Sequence, residues 1–105
     1  MVAETHNEII IILSKLIALL EETEDYDWAC FFKNKKKNLM STNNKEQIAR
    51  EIIDSYRGGM GSFVDLVLQK NMKMLINENN LLNEYRESLF ESCEKIVGVD
   101  YLKNL

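Results

Sequence analysis

Tyr56-Arg57-Gly58-Gly59-Met60-Gly61-Ser62-Phe63-Val64-Asp65-Leu66-Val67-Leu68 is the stretch that decides how the chain folds, and three of its four glycines fall there. Glycine reaches positive φ without steric cost, so three within four positions mark a backbone bend. Upstream, Ile48, Ala49, Ile52, Ile53 and Tyr56 share one face of a helical repeat, and Gly58 is the residue type that ends helices in a left-handed conformation. Downstream, Ser62 with Asp65 three residues on can cap a new turn, and Phe63, Val64, Leu66, Val67 and Leu68 supply apolar side chains to bury it. A helix is therefore expected to stop at Arg57, the chain to reverse over Gly58, Gly59 and Gly61, and a short buried helical turn to follow, with an extended segment as the alternative. A phosphate-binding P-loop also places glycines before a capped helix. It needs a preceding strand and a lysine, and neither stands here.

Outward from the bend the pattern is helical. Thr5 with Glu8 has the form of a capping box, and Ile9 to Leu20 follows as an apolar band wide enough for a central helix. Trp28, Phe31, Phe32 and Leu39 recur at helical spacing, which predicts a second helix over about 26–38, closed by Lys33, Lys35, Lys36 and Lys37 at its negative dipole end. Asn44 with Gln47 repeats the capping pattern and starts the third. Residues 69–77 are mixed and carry no assignment. From 78 or 79 to Val97 a long helix buries Leu82, Tyr85, Leu89, Cys93 and Ile96, and Gly98 stops it. The expected fold is all-α: one domain over 1–105, a compact bundle of four main helices plus a short buried turn after the glycine-rich bend.

Composition agrees with that fold and narrows function. A chain of 105 residues can bury one core without disulfides or metal, and 46% hydrophobic content with no proline favours continuous helix. Cys30 and Cys93 form no Cys-x-x-Cys pair and are expected as small buried hydrophobes of a reduced protein. The first residues lack the positive segment and cleavage site of a signal peptide, and the apolar block after them is too short for a membrane span, so a cytoplasmic location is expected. The 17 acidic and 13 basic residues leave a net charge of −4, which favours a cationic partner over nucleic acid. No nucleophile, base and orienting group converge, His6 stands alone near the start, and no metal spacing appears. An enzyme is not expected, and neither is a cofactor.

Two acidic surfaces are the candidate binding sites. Glu21, Glu22, Glu24, Asp25 and Asp27, interleaved with Tyr26 and followed by Trp28, place five carboxylates within seven residues beside two aromatic anchors. Glu84, Glu87, Glu91 and Glu94 form a stripe on the last helix, nearly opposite its apolar one. A solvated loop and a solvated helix face are the structural alternatives. The lysines 33–37 are a weaker candidate for RNA contact, with acidic sequence on their flank.

The run Gly58-Gly59-Met60-Gly61-Ser62-Phe63, then Asp65-Leu66-Val67-Leu68 and Glu78-Asn79-Asn80, resembles a family of small, largely uncharacterised bacterial helical proteins. Some of its members resemble immunity proteins of contact-dependent growth inhibition and related polymorphic toxin systems. The resemblance implies a protein that binds and blocks one cognate toxin, often a nuclease, with no catalytic residue of its own. A general helical adaptor or regulator of a host protein is the alternative.

Overall fold

The computed structural model describes residues 2–41, 43–57 and 61–98, with the backbone alone for 2–6. Four α-helices are present: α1 (Val2–Glu22), α2 (Tyr26–Ser41), α3 (Lys45–Asp54) and α4 (Ile76–Val97). Between α3 and α4 lie a single 3-10 turn, Phe63–Asp65, and an antiparallel hairpin of β1 (Gln69–Lys70) and β2 (Lys73–Met74).

The helices run up, down, up and down. A three-residue turn joins α1 to α2, and Lys33 pairs with Glu21 across it at 2.5 Å. Lys35 on α2 meets Glu51 on α3 at 2.7 Å, Tyr56 just past α3 donates its hydroxyl to the Arg86 carbonyl of α4, and Lys95 near the end of α4 pairs with Glu8 near the start of α1. Each helix thus neighbours two others antiparallel to it, and the ring closes between α4 and α1. Its interior is filled by Ile9, Leu13, Leu16 and Leu20 of α1, Phe32 and Leu39 of α2, Ile52 and Ile53 of α3, and Leu82, Leu89 and Cys93 of α4, all without solvent contact.

The ring has one short side. At ten residues α3 spans about 15 Å, whereas α4 with 22 spans about 33 Å. The segment after the glycine bend occupies the missing height. Phe63 and Leu68 are fully buried, and the Phe63 ring lies 4.7 Å from Phe32, 5.0 Å from Trp28 and 5.2 Å from Tyr56, centre to centre. Val64 and Val67 face solvent, so the expected five-residue apolar plug is reduced to Phe63 and Leu68, fully buried, with Leu66 partly buried against the core.

Several expected boundaries shift for local reasons. The first helix begins at Val2, so Thr5 lies within it; Val2, Ala3 and Glu4 contain nothing that breaks a helix. Ile11 turns out of the apolar band to solvent. The second helix continues to Ser41 because Leu39 is fully buried, and the lysines sit along its length. The Lys45 ammonium donates to the Leu39 carbonyl, supplying the cation that this helix end calls for. Asn44 caps α3 as expected, its side chain accepting from the Gln47 amide at 3.2 Å. Ordered helix ends at Asp54; Ser55 and Tyr56 continue as a turn, and the expected cap at Gly58 lies outside the described residues. Gly98 closes α4 with φ 83°.

Candidate functional site

The first acidic cluster forms the corner between α1 and α2. Asp25 donates its amide to the Leu20 carbonyl at 2.8 Å, and Glu24 donates to the Glu21 carbonyl at 3.2 Å. These two bonds define a Schellman motif whose left-handed position is Glu24, at φ 64°. Glycine is the usual occupant of that position, because a Cβ there crowds the neighbouring carbonyl. Glu21 and Glu22 add negative charge where the helix dipole is already negative, with no basic residue in the last turn. Locally the corner breaks two rules of helix termination, and both breaches place carboxylates on the surface.

Its members do different work. Glu22, Glu24 and Asp27 are exposed and form no ion pair among the described residues, while Glu21 is paired to Lys33. Tyr26 is 61% exposed between them. Asp25 turns partly inward: desolvation raises its carboxyl above the ordinary value, against a 3.2 Å hydrogen bond from the Thr23 hydroxyl. Trp28 belongs to the core margin, its ring engaged with Phe31, Phe32 and Phe63. The exposed group at this corner is therefore Glu22, Glu24, Tyr26 and Asp27.

The α4 stripe divides as well. Glu87, Glu91 and Glu94 line a groove of about 760 Å³ whose walls include Tyr56, Phe90 and Val64, with Glu84 outside it. The groove lies along the seam between α4 and the segment following α3, and its inner surface is mainly apolar.

At the bend, Gly58 and Gly59 lie outside the described residues. Gly61 has φ 88° with open space where a Cβ would stand, so conformation rather than close approach selects glycine there. Ser62 precedes the 3-10 turn without a side-chain capping bond; its carbonyl accepts from the Asp65 amide at 3.0 Å. The Ser62 and Asp65 side-chain cap expected from spacing is not formed, because the 3-10 turn already gives the Asp65 amide to the Ser62 carbonyl.

Two residues absent from the expected sites hold this region together. Asn79 pairs with both backbone groups of Leu68, accepting from its amide at 2.8 Å and donating to its carbonyl at 2.9 Å, and donates also to the Leu75 carbonyl at 2.8 Å. Arg86 donates to the carbonyls of Phe63, Val64 and Leu66 at 2.8 to 3.1 Å and lies over the Phe63 ring. Partial burial pushes the Arg86 guanidinium below its usual value. Seven residues apart, the two side chains share one face of α4. Asn79 stood in the run that carries the family resemblance but without a role, and Arg86 gave no signal beyond that spacing, because their partners are backbone atoms of a segment with no assigned structure.

No helix among the described residues is long and apolar enough to cross a membrane. Residues 21–76, from the acidic corner through the hairpin, match the model of a Domain of unknown function (DUF6966), and with more than half of its length matched the chain belongs to that family. No curated protein and no solved structure matches the chain.

Proposed function

We propose that this member of the family is an immunity protein, binding a cognate bacterial toxin domain of the contact-dependent inhibition kind and blocking it by occupancy, without catalysis. The observation that carries this reading is the exposed group Glu22, Glu24, Tyr26 and Asp27, without an ion pair among the described residues and held on a left-handed turn where glycine and a basic residue would be more stable. A nuclease toxin handles a polyanion and presents a basic cleft. Carboxylates on a rigid corner compete with phosphate for that cleft, and an exposed tyrosine supplies apolar contact at low entropic cost. The Glu87, Glu91 and Glu94 groove is the second candidate face.

Co-expression with the protein encoded immediately upstream, followed by pull-down and growth rescue, is the direct test. Exposed ion pairs contribute up to about 1 kcal/mol each, so Glu22→Gln, Glu24→Gln and Asp27→Asn together should weaken binding by about ten- to a hundredfold and flatten its salt dependence. Unchanged affinity and salt slope would remove the corner from the interface. Retrieval of a host protein with no growth rescue would replace inhibition by the adaptor reading.

A further inference from the structure

Among the described elements, the β1–β2 hairpin alone leaves every residue exposed, both strands and both tip residues included. Two-stranded hairpins are marginal in water unless one face is packed. This one carries further penalties. Lys70 and Lys73 are direct partners across the ladder, a like-charge pairing that opposes the hairpin. The tip residues Asn71 and Met72 have φ 55° and 66°, the type I′ geometry in which the second position belongs to glycine. Met72 occupies that position with 96% of its surface in solvent, and Met74 and Ile76 beside it are exposed too. Yet the foot of the hairpin is fastened, since Leu75 donates to the Leu68 carbonyl and Asn79 grips both residues. A firmly fastened, basic and apolar tip has no cover among the described residues.

The complement lies at the same end of the molecule. Because Lys95 pairs with Glu8, α1 and α4 run antiparallel, which puts the acidic corner and the hairpin at the same end of the bundle. Among the described residues Lys70 and Lys73 form no ion pair, and Glu22, Glu24 and Asp27 form none either. We infer that the hairpin docks on the acidic corner of a second copy of this chain. A twofold axis through that end lets each tip meet the other copy's corner, lysines against Glu24 and Asp27, and Met72 against Tyr26. The contact is isologous and closes at two copies. Dimer and toxin then compete for the same carboxylates, so toxin binding draws on monomer.

Sedimentation velocity of the full chain tests this, at about 50 mM and about 500 mM salt, where charge screening differs strongly. Expected are a dimer at low salt, weakening at high salt, and at least tenfold weaker association for Lys70→Glu with Lys73→Glu. Adding Glu24→Lys and Asp27→Lys to that same chain restores it. Met72→Gly, which relaxes the tip, keeps the fold by circular dichroism and still weakens the dimer. A monomer at every concentration, a dimer indifferent to charge reversal, or reversal that the added lysines fail to rescue overturns the assignment. So does tight binding to vesicles rich in anionic lipid by a chain that stays monomeric. These measurements use the chain alone, so their failure leaves the toxin reading standing, and failed growth rescue beside an intact dimer removes only the toxin reading.

Discussion

Leu68 gives both of its backbone groups to one side chain, and that arrangement concentrates much of the mounting of the 63–75 segment in Asn79. An asparagine amide reproduces the donor and acceptor pair of a neighbouring strand, so it can terminate a segment that has no strand beside it. Asn79→Ala leaves the buried Leu68 amide without its partner, while the Leu68 and Leu75 carbonyls keep the backbone amides of Leu75 and residue 79. At about 1 to 3 kcal/mol for an unsatisfied buried group, urea titration should show a loss of about 2 to 3 kcal/mol, whereas Asn80→Ala, one residue along and exposed, should fall within about 0.5 kcal/mol. Equal effects at the two positions would mean the clamp contributes nothing. The cysteines separate in a similar way. Cys93 is buried, and desolvation pushes its thiol up to about 12, while Cys30, expected in the core, is exposed. Because the thiolate is the reactive form, a colorimetric thiol reagent should label one cysteine at once and the other only on unfolding. Two fast thiols in the native protein would contradict the burial of Cys93.

At the scale of elements, helices were legible and their joints were not. The faces of α3 and α4 followed from apolar spacing, and Asn44 was identifiable as a cap because its oxygen reaches an amide three residues on. The α1–α2 corner was legible only as charge. Its Schellman geometry runs through backbone bonds, and glutamate at the left-handed position sends no signal that glycine would. The hairpin was opaque for the same reason: Asn71-Met72 lacks the glycine that marks a type I′ turn. Glu24→Gly should therefore stabilise the chain by about 1 kcal/mol, raising the melting temperature by about 4 to 8 °C, while weakening the binding assigned to the corner. A variant that gains no stability would show that Glu24 makes a compensating contact. Between α2 and α3, the Lys35 hydrogen bond holds the Glu51 carboxyl below its ordinary 4.5. That pair contributes fully above the unfolded value and is lost as pH falls through the lower folded one. Stability measured through the acid limb should drop less steeply in Glu51→Gln than in the parent, and parallel curves would remove the linkage.

Across the whole molecule, the corner, the groove and the hairpin all depend on how the bundle solves its one shortfall, a third helix of ten residues between neighbours of 16 and 22. Continuing α3 would have closed the ring with helix alone. Instead Gly61 admits a reversal, and the returning chain lays Phe63 into the gap, fixed from α4 by Arg86 above and Asn79 below. The price of the reversal is a segment with little regular hydrogen bonding of its own, which is why carbonyls of Phe63, Val64 and Leu66 all fall to one guanidinium. Its benefit is an exit that carries the hairpin to the end of the bundle where the acidic corner lies. If Phe63 closes the bundle, its removal should act globally. Phe63→Ala empties a site bounded by Trp28, Phe32 and Tyr56, and at about 3 to 5 kcal/mol for a buried phenylalanine this is a large share of the about 5 to 15 kcal/mol that holds a domain of this kind. The expected result is a single, cooperative transition moved to much lower denaturant, with the α1 and α4 amides losing exchange protection together with those of residues 62–68. Val64→Ala on the same turn, exposed at its surface, should leave the midpoint nearly unchanged. If Phe63→Ala instead frees only residues 62–75 while α1 and α4 keep their protection, the segment is an attachment to a complete bundle, and the hairpin is held by Asn79 and Arg86 alone.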